Sequence, residues 1–338
     1  MLFANRGLIL PIKGFLNKSI KLIFNYILGP MLFVLVVYSL YNQISQQQDL
    51  FIRWQQIKSS WKNPVFWLVF LLMFLNWGIE SLKWKLLLKP LENIQFAKAF
   101  KSVFAGCSIT MITPNRTGEF GGRILFVETE NRIKAISTNI LGSISQMLIT
   151  SIIGCVGLIY LIYFSNLDSK LILLPWIFNN VNIYLSLGVS IILALLYFKT
   201  NFFISFISKF KFLHKIVAHV KIVAQFSKYE LLIILFCSFL RYLVFILQYI
   251  LIMHVMHVEM ESSIAFWLIG IFYLMMAIIP TIGFTELPIR SALGISIFGI
   301  LSTNILGIQA ACFAIWIINL VIPATIGSVF LLMKKNVQ

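Results

Sequence analysis

The sequence predicts an all-α polytopic membrane protein of about six full transmembrane helices plus two re-entrant, broken-helix hairpins arranged as an inverted repeat. Three observations predict it. The chain of 338 residues is 60% hydrophobic with a mean hydropathy of +0.93, far above the apolar share of a soluble domain. Several apolar runs approach the roughly 20 residues needed to cross a bilayer. Two stretches, 106–128 and 280–290, interrupt that apolar background with Pro, Gly and paired charges. The short alternating segments of a transmembrane β-barrel are absent from the sequence.

The elements follow in order within one integral membrane domain, 1–338. Residues 1–63 comprise a basic leader, a first span over 20–41 with a kink at Gly29-Pro30, and a polar, Gln-rich segment. Trp54 and Trp61 in that segment suit a bilayer interface. Residues 64–164 form the first repeat unit. Its span over 64–88 carries Asn76, Glu80 and Lys83 at helical spacing, with Glu80 and Lys83 placed to pair at i, i+3. For Lys83 a helix end emerging into water is an equal reading. A short helix over 96–113 leads into TPNRTGEFGG, a returning helix over 123–131 follows, and a span over 136–164 carries Gln146.

Residues 165–228 hold a connecting span over 181–198. A basic stretch follows with Lys199, Lys209, Lys211, Lys215, Lys221 and Lys228 among Phe and Ile, expected to lie as one interfacial helix. Residues 229–338 form the second unit: a span over 231–253 with Arg241 well inside it, a short helix over 264–279, the break PTIGFTELPIR, a returning helix to 300, and a last span over 308–333 kinked at Pro323. No cleavable signal peptide is visible, and 334–338 leave no room for a soluble catalytic domain after the last span.

The net charge of +16 does not indicate nucleic acid, because the basic residues punctuate the ends of apolar spans. With both termini inside, most of the 27 basic residues fall on the inner side, and the exterior loops keep Arg53, Lys58, Lys62 and Lys170. In that orientation the two units run oppositely. Both hairpins carry Pro, Gly, a carboxylate (Glu119, Glu286) and an Arg four positions later (Arg123, Arg290), the pattern of broken helices meeting in secondary transporters. Gly118, Gly121, Gly122, Pro280 and Gly283 are expected as breaks in helical structure. Backbone of that kind survives at membrane depth only where protein or water satisfies it. Charges there mark function by default.

The candidate substrate-binding or translocation set is therefore Glu80, Pro114, Asn115, Arg116, Glu119, Arg123, Gln146, Arg241, Glu286 and Arg290. The arginines suit phosphate oxygens. The carboxylates suit a counter-charge, a cationic head group or a coupling proton. Buried Arg–Glu pairs that merely lock the hairpins are the structural counterpart of this reading. No catalytic set is visible: the aspartates, Asp49 and Asp168, lie in predicted exterior loops. The cysteines, Cys107, Cys155, Cys237 and Cys312, read as small apolar residues. His254 and His257 at i, i+3 read as a polar helix end rather than a metal site. No cofactor or metal is expected.

At TPNRTGEFGGR the sequence resembles the lysylphosphatidylglycerol synthase transmembrane-region family. The resemblance extends to Asn76-Trp77 through Lys85, to Ser145-Gln146 and to Pro280 through Arg290. It implies a flippase-like integral membrane protein without the synthase domain, and so no aminoacyl transfer. The second loop departs from many relatives in reading IGFTE, with less Gly before its Glu, so the substrate does not carry over.

The leading expectation is a non-enzymatic lipid flippase or transporter. It would move a phospholipid or polyprenyl-phosphate-linked lipid across a bacterial cytoplasmic membrane, with both termini cytoplasmic. The alternatives are an accessory or scaffold subunit of a lipid or cell-envelope glycan pathway, and a membrane-embedded lipid-modifying enzyme. Expected partners are membrane lipids with anionic head groups, a further copy of the chain, or a separate lipid-synthesis enzyme.

Overall fold

The structure is a computed structural model that describes residues 37–38, 40–45, 49–111, 113, 117–165, 167, 174–210, 214–281 and 283–335. The chain divides into two compact units, Met1–Gln48 and Asp49–Gln338. In the first, residues 40–45 are helical, and the expected span over 20–41 lies almost wholly outside the described residues. The second unit contains every element discussed below.

Among the described residues the chain is helical, without strands. Helix α1 (Leu50–Ser59) precedes α2 (Pro64–Leu88), which opens on Pro64, where the missing N–H costs nothing. The Asn63 side chain accepts the Val65 N–H at 2.9 Å. Helix α3 (Phe96–Thr110) and the seven-residue α4 (Gly118–Ile124) follow, and the described residues between them, Met111, Thr113 and Thr117, are not helical. Helix α5 (Arg132–Phe164) and α6 (Asn180–Phe198) follow, and Asn179 caps α6 by accepting the Asn182 N–H at 2.8 Å. Next come α7 (Thr200–Ser208) and α8 (His214–Val220). Helix α9 (Lys228–Val255) starts at a reciprocal capping box between Ser227 and Glu230. The chain finishes with α10 (Ser262–Ile278), α11 (Gly283–Phe298), α12 (Ile305–Trp316), a π-helical turn (Ile317–Val321) and α13 (Ile322–Lys335).

Among the described residues five stretches are long and apolar enough to cross a membrane: Pro64–Leu88, Thr129–Phe164, Asn180–Phe198, Lys228–Val255 and Ile305–Lys334. They coincide with the five expected spans that lie in the described residues. With 15, 17 and 16 residues, α3, α10 and α11 fall short of that length.

Three expectations need correction. Gly118, Gly121 and Gly122 do not break the chain, because all three lie in α4. The returning helix thus begins at Gly118 and not near Arg123. Glycine serves here for close approach: a Cβ on Gly122 would overlap the Ala105 carbonyl and the Gly106 backbone of α3. Gly283 likewise opens α11, and Pro288 sits inside that helix, so the second break is confined to 279–281 with 282 outside the described residues. Pro280 does lie in the break. The basic stretch 199–228 is divided among α7, α8 and a 3-10 turn (Lys221–Gln225) instead of forming one helix.

The kink expected at Pro323 takes the form of the π-helical turn just before it. Proline has no N–H to return to the carbonyl four residues earlier, and a widened turn absorbs the loss. The turn divides the last span. Helix α12 packs on α9 and α11, while α13 packs on α3. Gly327 of α13 lies so close to α3 that a Cβ would overlap the Phe104 carbonyl, and the Ser108 hydroxyl donates to the Ala324 carbonyl at 2.7 Å. On the other side of the unit α10 packs on α5, where Gly154 faces Leu274 and Gly270 faces Ile153. Small residues at such crossings are the usual means of helix association in lipid, where the hydrophobic effect supplies little between helices. Helices α2 and α9 form a further large contact between them.

The two adjacent glycines of α4 provide a paired test. Nothing lies within 4 Å of a Cβ on Gly121, so Gly121→Ala holds or raises the thermal midpoint of the detergent-purified protein by up to about 1 kcal/mol of helix propensity. Gly122→Ala lowers it by about 1–3 kcal/mol of overpacking.

Candidate functional site

Where α2, α4 and α9 meet, a cluster of charges is almost completely buried. Helix periodicity places Asn76, Glu80 and Lys83 of α2 on one face, toward α4, α5 and α9. Glu80 and Lys83 are 3% and 2% exposed. The Glu80 carboxylate is the hub. Its Oε1 accepts from the Arg123 guanidinium of α4 at 2.7 Å. Its Oε2 accepts from Arg241 of α9 at 2.9 Å and lies 2.8 Å from Lys83 Nζ. Arg123 also pairs with Glu119, one helical turn earlier.

Neutral groups hold these charges in place. Arg123 donates to Asn139 Oδ1 of α5 at 3.1 Å, and Arg241 Nε donates to Asn76 Oδ1 at 2.8 Å. Lys83 reaches the Gly142 carbonyl of α5 at 3.5 Å and the Ser238 hydroxyl of α9 at 3.3 Å. Ser238 and Ser145 share a 2.7 Å hydroxyl contact. The Arg241 guanidinium stacks over Trp77 at 4.8 Å and Phe245 at 5.2 Å, and Arg123 lies over Trp84 at 5.4 Å. The Trp84 indole N–H donates to Ser102, whose hydroxyl donates to the Arg123 carbonyl, both at 2.9 Å. Side chains of α2, α3, α4, α5 and α9 thus all bear on one carboxylate.

Two features give the cluster chemical direction. Its linked ionic groups are Lys83, Arg123 and Arg241 against Glu80 and Glu119, which leaves one positive charge over. Four further buried atoms in it have no hydrogen-bond partner: Asn76 Nδ2, Trp77 Nε1, Arg123 Nε and Asn139 Nδ2. All four are donors. An anionic acceptor is the complement to that set. Glu119, 28% exposed at its side chain, is the most accessible of the five charged residues.

A second group lies on α9 and α11. Arg290 donates to Glu286 Oε1 at 2.7 Å and to the Tyr249 hydroxyl at 2.9 Å, and its guanidinium stands over Phe272 at 5.7 Å. Between α9 and the last span, Asn319 of the π-helical turn donates to Gln248 Oε1 at 3.1 Å, and Gln248 donates to the Val69 carbonyl of α2 at 2.9 Å. Apolar surroundings make each such bond expensive to leave unmade.

The family model described as the lysylphosphatidylglycerol synthase TM region matches residues 26–285. The chain belongs to that family. It is accordingly a multi-pass membrane protein of a lipid-related pathway. The match takes in the whole Glu80 cluster and stops one residue short of Glu286. Comparison with curated proteins and with solved structures found no match.

Of the residues expected to act, Glu80, Glu119, Arg123 and Arg241 come together in one cluster. Gln146 stands beside it and donates weakly to the Ser238 carbonyl at 3.5 Å. Glu286 and Arg290 form the second group. Pro114, Asn115 and Arg116 lie outside the described residues. Lys83 does not emerge into water: it is buried on Glu80, and the helical spacing that paired the two residues was its signal. Asn139 and Ser145 had a signal in their spacing along α5, which sets them on one side with Gly142 and Gln146. Tyr249 had none, being an aromatic residue among many in α9. His254 and His257 stand at the C-terminal end of α9, and among the described residues no three His, Cys, Asp or Glu side chains gather as a metal site would require.

The hub role of Glu80 sets a stability test. Glu80→Gln leaves three buried cations with Glu119 alone and destabilises the protein by about 3–5 kcal/mol, read as a fall in the thermal midpoint. Glu80→Gln combined with Lys83→Met costs less than the sum of the two single changes.

Proposed function

We propose that the chain is a lipid translocator, not an enzyme. It passes the head group of an anionic phospholipid or polyprenyl-phosphate-linked lipid through the polar seam around Glu80 while the acyl chains stay in the bilayer. The observation that carries this reading is the imbalance of the cluster: one uncompensated positive charge and four unpartnered donors, buried among membrane-spanning helices. An unneutralised charge there is costly, and a phosphate supplies both the counter-charge and the acceptors. Arg123 and Arg241 offer the planar, multidentate donor geometry that favours phosphate oxygens.

The pattern of helix contacts supports reading the two halves as inverted repeats with re-entrant hairpins. Exchanging α2 with α9, α3 with α10, α4 with α11 and α5 with the last span carries the α3–α13 contact onto α10–α5. The same exchange carries α2–α5 onto α9–α12 and Glu119–Arg123 onto Glu286–Arg290. Transporters built this way move one repeat against the other around a fixed site. With Glu80, Lys83 and Arg123 at most 3% exposed, the head group gains access by separation of α4 from α2 and α9, and Glu119 is the first charge it meets. The distribution of basic residues supports an orientation with both termini inside, and the Lys-, Ile- and Asn-rich composition supports a bacterial cytoplasmic membrane.

The test is lipid movement in reconstituted liposomes, with labelled phospholipids and polyprenyl phosphates offered to wild type, Arg241→Gln and Arg123→Gln. Wild type moves an anionic class, and each variant, folded by its thermal midpoint, loses it by tenfold or more, roughly the loss of one charge-assisted contact. Movement that persists in both variants, or no movement of any lipid under an imposed ion gradient, overturns the proposal. The second result favours the accessory-subunit reading.

A further inference from the structure

A cavity of about 540 Å³ opens at one end of the helix bundle, apart from the Glu80 cluster. Lys98 and Lys101 from the first turns of α3, Arg132 from the start of α5 and Lys334 from the end of α13 line it, with Glu128 as the lining carboxylate. The chain brings these residues together from four places because α13 packs along α3 and the segment between α4 and α5 folds over both. Their own contacts leave the cavity positive. Lys98 meets Glu92 at 3.4 Å, and Glu92 is further engaged by the Glu128 N–H at 3.0 Å. Among the described residues Lys101, Arg132 and Lys334 have no carboxylate partner. Arg132 Nε turns to the Val127 carbonyl at 3.3 Å, and Lys334 lies over the Phe126 ring at 4.6 Å.

The remaining wall is apolar: Phe126, Val127, Phe330 and Met333. A soluble anion has no use for such a wall. An amphiphile does, with its phosphate among the cations and its first chain carbons on the rings. The depth agrees, since Arg132 and Lys334 mark the ends of two membrane-crossing stretches, where head groups sit. Basic pockets between transmembrane helices at that level suit lipid head groups.

We propose that this cavity holds the phosphodiester head group of an anionic membrane lipid as a bound component. The site is distinct from the central cluster and does not depend on translocation there.

Native mass spectrometry of the full chain in a neutral detergent tests this, with phosphatidylglycerol and phosphatidylcholine of identical chains as probes. Wild type retains phosphatidylglycerol in preference. Lys101→Gln with Arg132→Gln lowers that retention on the order of tenfold, as expected for two Lys/Arg contacts near a membrane surface. Lys101→Arg, which keeps the charge and reports on folding, retains it. Excess inorganic phosphate leaves the lipid in place, and Arg241→Gln in the central cluster leaves retention unchanged. Equal retention of the two lipids, unchanged retention in the double variant, displacement by inorganic phosphate alone, or loss of the lipid in Arg241→Gln would each overturn the assignment. The last would move the retained lipid to the central cluster.

Discussion

Everything in the centre of this molecule depends on the carboxylate of Glu80. It is a single negative charge buried in α2, and three cations from α2, α4 and α9 converge on it. Removing ions from water costs several kcal/mol each, and mutual attraction offsets that only where geometry is good and the leftover hydrogen-bonding capacity is met. Here the Asn76, Asn139, Ser238 and Gly142 oxygens meet part of it, and Trp77 and Trp84 lend their ring faces to the arginines. Within the cluster the unmet atoms are the four donors, with the Gln146 Oε1 acceptor unmet beside it. A cluster built only to lock helices would be expected to balance its charges and its hydrogen bonds. This one leaves one positive charge and four donors over, the imbalance on which the proposed anionic ligand rests.

The spans were legible in the sequence because their physics is local. A helix that must satisfy its own backbone in lipid announces itself by apolar length; the caps Asn63, Asn179 and Ser227, where α2, α6 and α9 begin, came only with the structure. The Glu80–Lys83 and Glu119–Arg123 pairs were legible for the same reason, each being a single turn apart. Gly118, Gly121 and Gly122 misled because glycine has two uses. The sequence shows conformational freedom, but whether another backbone presses on the residue is a tertiary fact, and Ala105 settles it for Gly122. Tyr249 as the partner of Arg290 is tertiary too, since the residues lie 41 positions apart on different helices. The basic stretch after α6 has the composition of one amphipathic helix, yet it is cut into short pieces that pack against one another.

The two charged groups differ in their state of balance. On α9 and α11, Glu286 neutralises Arg290 within one helix and Tyr249 accepts a further bond from it, with Arg290 Nε left unpartnered. Around Glu80, charges from three helices must be brought together. The first arrangement can travel as a unit with its helix, whereas the second is assembled only when α2, α4 and α9 are in contact. Any separation of those helices therefore acts directly on the ionic groups and leaves the Glu286–Arg290 pair intact.

The packing of α3 on α13 has a consequence for how the chain is built. Ribosomal synthesis delivers α3 to the membrane long before α13 exists, for Ser108 and the Ala324 carbonyl that receives its hydrogen bond are 216 residues apart. Until then the face of α3 around Phe104 has no partner backbone, and the seven-residue α4 has only α3 and the start of α5 to lean on. Truncation before α13 thus removes more than one helix, because the nascent chain would keep its long spans yet leave the Phe104 face of α3 without its partner. Insertion of the spans and closure of the fold are consequently separate events in time, and α13 completes the packing of a helix made long before it.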